Sequence, residues 1–115
     1  MPIIRVTVIG DHALGQNAAK RLAEGAGRIL HSAPGSVWVR IEQVLEDHYA
    51  ENAPEWPRPL FLHLLLREGM VSIQPGQVEA LCDLAHTIFH VPAQQIHLIV
   101  EPPAAGRMYF GGVPV

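Results

Sequence analysis

The sequence predicts an α/β (α+β) fold: a four-stranded sheet with two helices on one face, built from a tandem β-α-β repeat. Three observations predict it. Apolar segments of strand and helix periodicity follow one another as strand, helix, strand, and then do so again within 115 residues. The two passes align without gaps at a shift of 59 residues, so that Gly10 meets Gly69, Leu22 meets Leu81, Ala26 meets Ala85, Ile29 meets Ile88, His31 meets His90 and Glu42 meets Glu101. A strand-helix-strand connection of this length joins parallel strands, the helix crossing over one face. At 12.6 kDa the chain can bury one core, not two. It is therefore read as a single domain, 1–115, of two repeats at about 1–58 and 59–115.

The elements follow in order. Ile3 to Ile9 is β-branched almost throughout and reads as a buried strand. Gly10-Asp11 reads as a turn with Asp11 as the N-cap of a helix, whose apolar stripe is Leu14, Ala18, Leu22, Ala26, Ile29 and Leu30, opposite Lys20, Arg21, Glu24 and Arg28. Ala33-Pro34-Gly35 stops that helix. Val37 to Val44 alternates as a strand, Val37, Val39 and Ile41 facing one way and Trp38, Arg40 and Glu42 the other. Residues 45–59, polar and holding three prolines, read as the connector.

Leu60 to Leu66 is the next strand, ended by Arg67-Glu68-Gly69. Pro75 suits the first turn of the second helix. Its apolar positions are Val78, Leu81, Cys82, Leu84, Ala85, Ile88 and Phe89, and Val91-Pro92 breaks it. Ile96 to Val100 is the fourth strand, with His97, Ile99 and Glu101 opposite Ile96, Leu98 and Val100. Helices on one face leave the other needing cover. Nothing else in the chain is long enough to supply it, so that face is expected to pack on further subunits, with Trp38 as an apolar anchor.

Composition narrows the function. A net charge of -3 and a pI near 6.1 argue against nucleic-acid binding. The single cysteine, Cys82, excludes an intramolecular disulfide and a cysteine zinc site, and reads as core filler. His86 and His90 share a helix face, but no third ligand stands at a regular interval, so no metal is expected. No apolar run approaches a membrane span of about 20 residues, and no signal peptide is visible. A cytoplasmic protein without cofactor is the expectation.

Pro2 is the residue with unusual chemistry within reach. Removal of Met1 is favoured by a small following residue and would leave a free secondary amine, where every other backbone nitrogen is a non-basic amide. The strand that follows would hold this terminus inside the fold.

With Met-Pro before an apolar strand, a repeated β-α-β unit of about sixty residues and the C-terminal segment RMYFGG, the chain resembles the tautomerase superfamily. Its short members, such as 4-oxalocrotonate tautomerase, carry one such unit. Its long members, such as macrophage migration inhibitory factor, carry two fused units and usually form trimers. The stretch LFLHLLLREGM at 60–70 is similar to the second-repeat strand of cis-3-chloroacrylic acid dehalogenase. The resemblance implies a homotrimer in which Pro2 is the general acid or base and Arg67 binds a small carboxylate substrate. The dehalogenases' second arginine is Met70 here, their water-activating carboxylate aligns with Tyr109, and the arginine after the first strand is replaced by Gly10-Asp11-His12.

The chemistry these residues permit is tautomerisation. Burial lowers an amine's pKa toward neutrality, and a base with pKa near the working pH can both remove and return a proton. An enolate oxygen needs a donor or cation, and Arg67 or Arg40 can serve, or fork onto a carboxylate. Trp38 lies near the position of the short tautomerases' strand arginine. Arg107, Tyr109 and Phe110 can close the pocket, or Tyr109 and Phe110 can simply pack a C-terminal strand. The expected function is a tautomerase or isomerase acting on a 2-keto or 2-hydroxydienoate acid. The alternatives are a hydratase or dehalogenase-like enzyme of 3-substituted acrylates, with Glu42 and Glu101 as candidate carboxylates, and a non-catalytic ligand-binding module of ferredoxin-like type.

Overall fold

The computed structural model describes residues 2–10 and 14–115. The main elements are β1 (Ile3–Ile9), α1 (Ala18–Ile29), β2 (Trp38–Val44), β3 (Leu60–Leu65), α2 (Pro75–Phe89), β4 (Ile96–Val100), and a terminal hairpin of β5 (Tyr109–Phe110) and β6 (Val113–Pro114). The four-stranded sheet has the order β2-β1-β3-β4. β1 pairs with β2, and β3 with β4, in parallel, while β1 and β3 meet antiparallel at the centre.

Strand periodicity sorts the side chains into two faces. On the inner face Ile4, Val6 and Val8 stand opposite Leu64, Leu62 and Leu60. Val39 and Ile41 extend this layer across β2, and Ile96, Leu98 and Val100 across β4. Leu22 and Ala26 of α1, with Leu81, Ala85, Ile88 and Phe89 of α2, bury against it. The helices lie close enough that a Cβ on Gly25 would stand 2.5 Å from Leu84 Cδ2.

α1 begins at Ala18, later than the apolar stripe predicts. Asn17 precedes it in the left-handed region at φ 59° and makes no side-chain cap, and Leu14 is exposed outside the helix. A left-handed residue cannot continue a right-handed helix backwards, so the stripe's first position is lost. The expected N-cap, Asp11, and His12 beside it lie outside the described residues. α2 starts as predicted at Pro75, with a reciprocal cap between Gln74 and Gln77. Gln77 Nε2 also donates to Ile29 O (3.0 Å), tying the start of α2 to the end of α1. His86 places Nδ1 2.7 Å from Val91 O, where the chain leaves α2.

The two halves repeat the same bends. Gly10 and Gly69 are both left-handed, as are His31 and His90. The ungapped shift of 59 holds from these glycines onward and fails in the first strands. There it would set inward Ile4 and Val6 against outward His63 and Leu65. An odd shift inverts a strand's faces, so one residue must differ between strand and glycine. One residue, Ile9, separates inward Val8 from Gly10; two, Arg67 and Glu68, separate inward Leu66 from Gly69.

The connector 45–59 folds back over the sheet's outer face. Tyr49 packs on Trp56 and Phe61 at centroid distances of 5.2 and 5.9 Å, and Phe61 stacks on His97 at 5.2 Å. Arg58 Nη2 bonds Glu46 Oε1 at 2.8 Å. Among the described residues no helix is long and apolar enough to cross a membrane.

Candidate functional site

Pro2 is buried at the open end of β1. Trp38 N donates to its carbonyl (3.0 Å), so the parallel ladder reaches one residue past the strand and holds the terminus down. Because β1 and β3 are antiparallel, the start of β1 meets the end of β3. Pro2 accordingly shares a cleft of about 180 Å³ with Leu66, Arg67, Glu68 and Ser72, closed from the end of α1 by Leu30 and Ser32. Arg67 Nε lies 3.6 Å from Glu68 Oε1, with both side chains more than half exposed. That contact is too long for a good hydrogen bond and engages one edge of the guanidinium only. Ser72 Oγ donates to Gly69 O (2.9 Å).

The other residues expected at the site gather elsewhere in the chain. Trp38, Arg40 and Arg107 line a cleft of about 520 Å³ on the outer face, together with Arg5, His63 and Glu101. Arg40 Nη2 bonds Glu42 Oε1 at 2.8 Å. The terminal hairpin turns at Gly111-Gly112, both at positive φ, as a two-residue hairpin loop requires. Its Phe110 ring packs on Trp38 at 5.1 Å, while Tyr109 stays 60% exposed. Within one chain, then, Arg107, Tyr109 and Phe110 do not close over Pro2. The Trp38–Phe110 contact draws the hairpin to the outer face instead.

Two features escaped the sequence reading. Glu68 stands in the Pro2 cleft. At the sheet's centre, Glu101 Oε1 lies 3.3 Å from His63 Nδ1 and 3.7 Å from Arg5 Nη2. Strand alternation places Glu101 on this face, but its partners depend on which strands are neighbours. Glu42 and Glu101 are thus tied into ion pairs away from Pro2. Among the described residues no three His, Cys, Asp or Glu side chains gather as a metal site would need.

No family model matches the sequence, and no curated protein is significantly similar to it. Solved structures are similar in fold. Pt0534, solved inactivated by 2-oxo-3-pentynoate, matches with a TM-score of 0.73 at 16% identity, covering 97% of this chain and 94% of that one. Macrophage migration inhibitory factor of Oncomelania hupensis matches at 0.75 and 14% identity, covering 99% of this chain and 81% of that one. A fused 4-OT wild type symmetric trimer matches at 0.76 and 10% identity, covering 97% and 94%. Likeness at these identities is likeness of fold, and the chain has the fold of the tautomerase superfamily to which 4-OT and macrophage migration inhibitory factor belong.

Proposed function

We propose that the protein is a cofactor-independent tautomerase or isomerase in which Pro2, freed by removal of Met1, is the general acid and base. Its substrate is a small 2-keto or 2-hydroxydienoate carboxylate. The observation that carries this reading is the cleft shared by a buried proline at the chain's head and an arginine with guanidinium edge to spare. The neutral amine takes a proton from the carbon beside the carbonyl and returns it at the other end of the enolate. Arg67 binds the carboxylate through a charge-assisted pair of hydrogen bonds. Burial favours the neutral amine at working pH.

The protein works in this reading as a homotrimer. Support comes from the apolar side chains Trp38, Ile99, Tyr109, Phe110 and Val113, which the outer face and hairpin leave exposed in the single chain. Arg40, Trp38, Tyr109 and Phe110 are then groups that one subunit offers to the site of another.

The test is the untagged protein, shown by intact mass to lack Met1, assayed for phenylenolpyruvate and 2-hydroxymuconate ketonisation beside Pro2→Ala. Activity that collapses in the variant is the expected result. Equal rates in both proteins, or none in either despite a free Pro2, would sink the mechanism for these substrates. Glu68 favours one second reading, hydration or hydrolytic dehalogenation of a 3-substituted acrylate, because it puts a carboxylate beside Pro2 and Arg67. Turnover of 3-haloacrylates that is lost in Glu68→Gln would select it.

A further inference from the structure

The chain between β4 and the terminal hairpin runs beside the end of β3 and continues its pairing with a defect. Glu101 N donates to Leu64 O (2.9 Å), and the next inter-segment bond is Ala104 N to Leu66 O (3.0 Å), followed by Ala105 N to Arg67 O (3.0 Å). Three residues on one side thus span two on the other, which is a bulge. It holds Pro102 and Pro103, which have no N–H to give the ladder. Their carbonyls bond Arg107 instead: Nη2 donates to Pro102 O (2.7 Å) and Nε to Pro103 O (2.9 Å). Arg107 N closes the same loop on Ala104 O (2.9 Å).

This loop meets the Pro2 cleft from behind. Ala104 and Ala105 hold the carbonyls of Leu66 and Arg67, and Pro103 packs on Gly69, where an added Cβ would stand 2.9 Å from Pro103 Cγ. Gly69 is left-handed at φ 67°, so the turn that carries Arg67 and Glu68 is pinned on both sides. Arg107 itself does not line that cleft.

We propose that Arg107 is a positioning residue: its guanidinium holds the Pro102-Pro103 bulge, and the bulge sets the place of Arg67 beside Pro2. The fork matters as well as the charge, because two successive carbonyls are taken by two nitrogens of one rigid plane. The inference rests on the proposed function only for its kinetic part.

The test compares Arg107→Ala and Arg107→Lys with the wild-type full chain. Arg107 is exposed, so neither substitution removes core packing. In Arg107→Ala, amide exchange at Ala104 and Ala105 accelerates by about tenfold or more, while that of the central β1 and β3 amides is unchanged. The KM for a small 2-keto acid rises by about tenfold, with kcat and the midpoint of its pH profile unchanged. Arg107→Lys recovers amide protection and KM together, and only in part. Unchanged exchange at Ala104 and Ala105 in the alanine variant would overturn the proposal. So would a lysine variant that restores KM in full without restoring protection, since that outcome makes Arg107 a charge for the substrate. Exchange is read without substrate, so a protein that proves inactive leaves that half of the result standing and counts against the tautomerase reading alone.

Discussion

Gly25→Ala should change the sign of its effect on stability according to what stands at residue 84. Gly25 is buried in α1, and alanine in a helix interior is favoured over glycine by about 1 kcal/mol. Against this, the new methyl would lie 2.5 Å from Leu84 Cδ2, 3.0 Å from Cδ1 and 3.3 Å from Cγ. Overpacking of this kind costs about 1–3 kcal/mol. Leu84 is only half-buried and the nearest atoms are the end of its side chain, so it can turn partly aside. The lower half of that range applies, about 1–2 kcal/mol, and after the helix preference the net effect is a loss of up to about 1 kcal/mol. In a Leu84→Ala background the clashing atoms are gone, the helix preference acts alone, and Gly25→Ala stabilises by up to about 1 kcal/mol. The coupling between the two sites is then about 1–2 kcal/mol, within the range for residues in contact. Denaturant unfolding of the four proteins, at one fixed protein concentration so that assembly contributes equally, closes the cycle. A stabilising Gly25→Ala in the wild-type background, or the same sign in both backgrounds, would refute the reasoning.

Two further outcomes follow from the site and the core. Glu68→Gln should lower KM for a carboxylate substrate by about two- to fivefold, the equivalent of removing an exposed competing charge worth about 1 kcal/mol or less. Added salt should erase the difference, and a KM that stays or rises in low salt would contradict the competition of Glu68 for Arg67. Burial, and then the charge of Asp83, push the Cys82 thiol up. The folded chain therefore holds this proton more tightly than the unfolded chain. Its contribution to stability is complete below the unfolded thiol's pKa of about 8.5 and declines as pH rises from there toward the folded value. Alkylation by iodoacetamide at pH 8, followed by intact mass, should be slower in the native protein than in denaturant. Equal rates would contradict the shift.

Period-two alternation and β-branching read out β1, β2, β3 and β4 to within a residue, because each strand buries one face and the pattern records it. The repeated glycines and helix stripes gave the order of elements for the same reason. The start of α1 was not legible: Leu14 fits the stripe, and nothing local shows that Asn17 turns left-handed. Sheet order was the larger gap. His63, Arg5 and Glu101 are far apart in the chain and meet only because β1 stands between β2 and β3, with β4 beyond. Arg107 reads in the sequence as a residue that can close the pocket, because its acceptors are backbone carbonyls, which every residue has and no pattern marks. Glu68 was overlooked as the tail of a strand, although the antiparallel meeting of β1 and β3 sets it beside Pro2.

A molecule made of two like halves carries a degeneracy: whatever one end of its sheet can hold, the other end can hold as well, and the two ends compete. The one residue by which the halves differ in length between strand and glycine lifts that degeneracy. Where the first half passes from inward Val8 through buried Ile9 to its glycine, the second has room for an arginine and a glutamate in the open. Beside Gly10, at the opposite end, stands Arg58 instead, whose guanidinium would lie 3.1 Å from an added Cβ and is bound to Glu46. One residue of length thus gives a nearly symmetric sheet a front and a back.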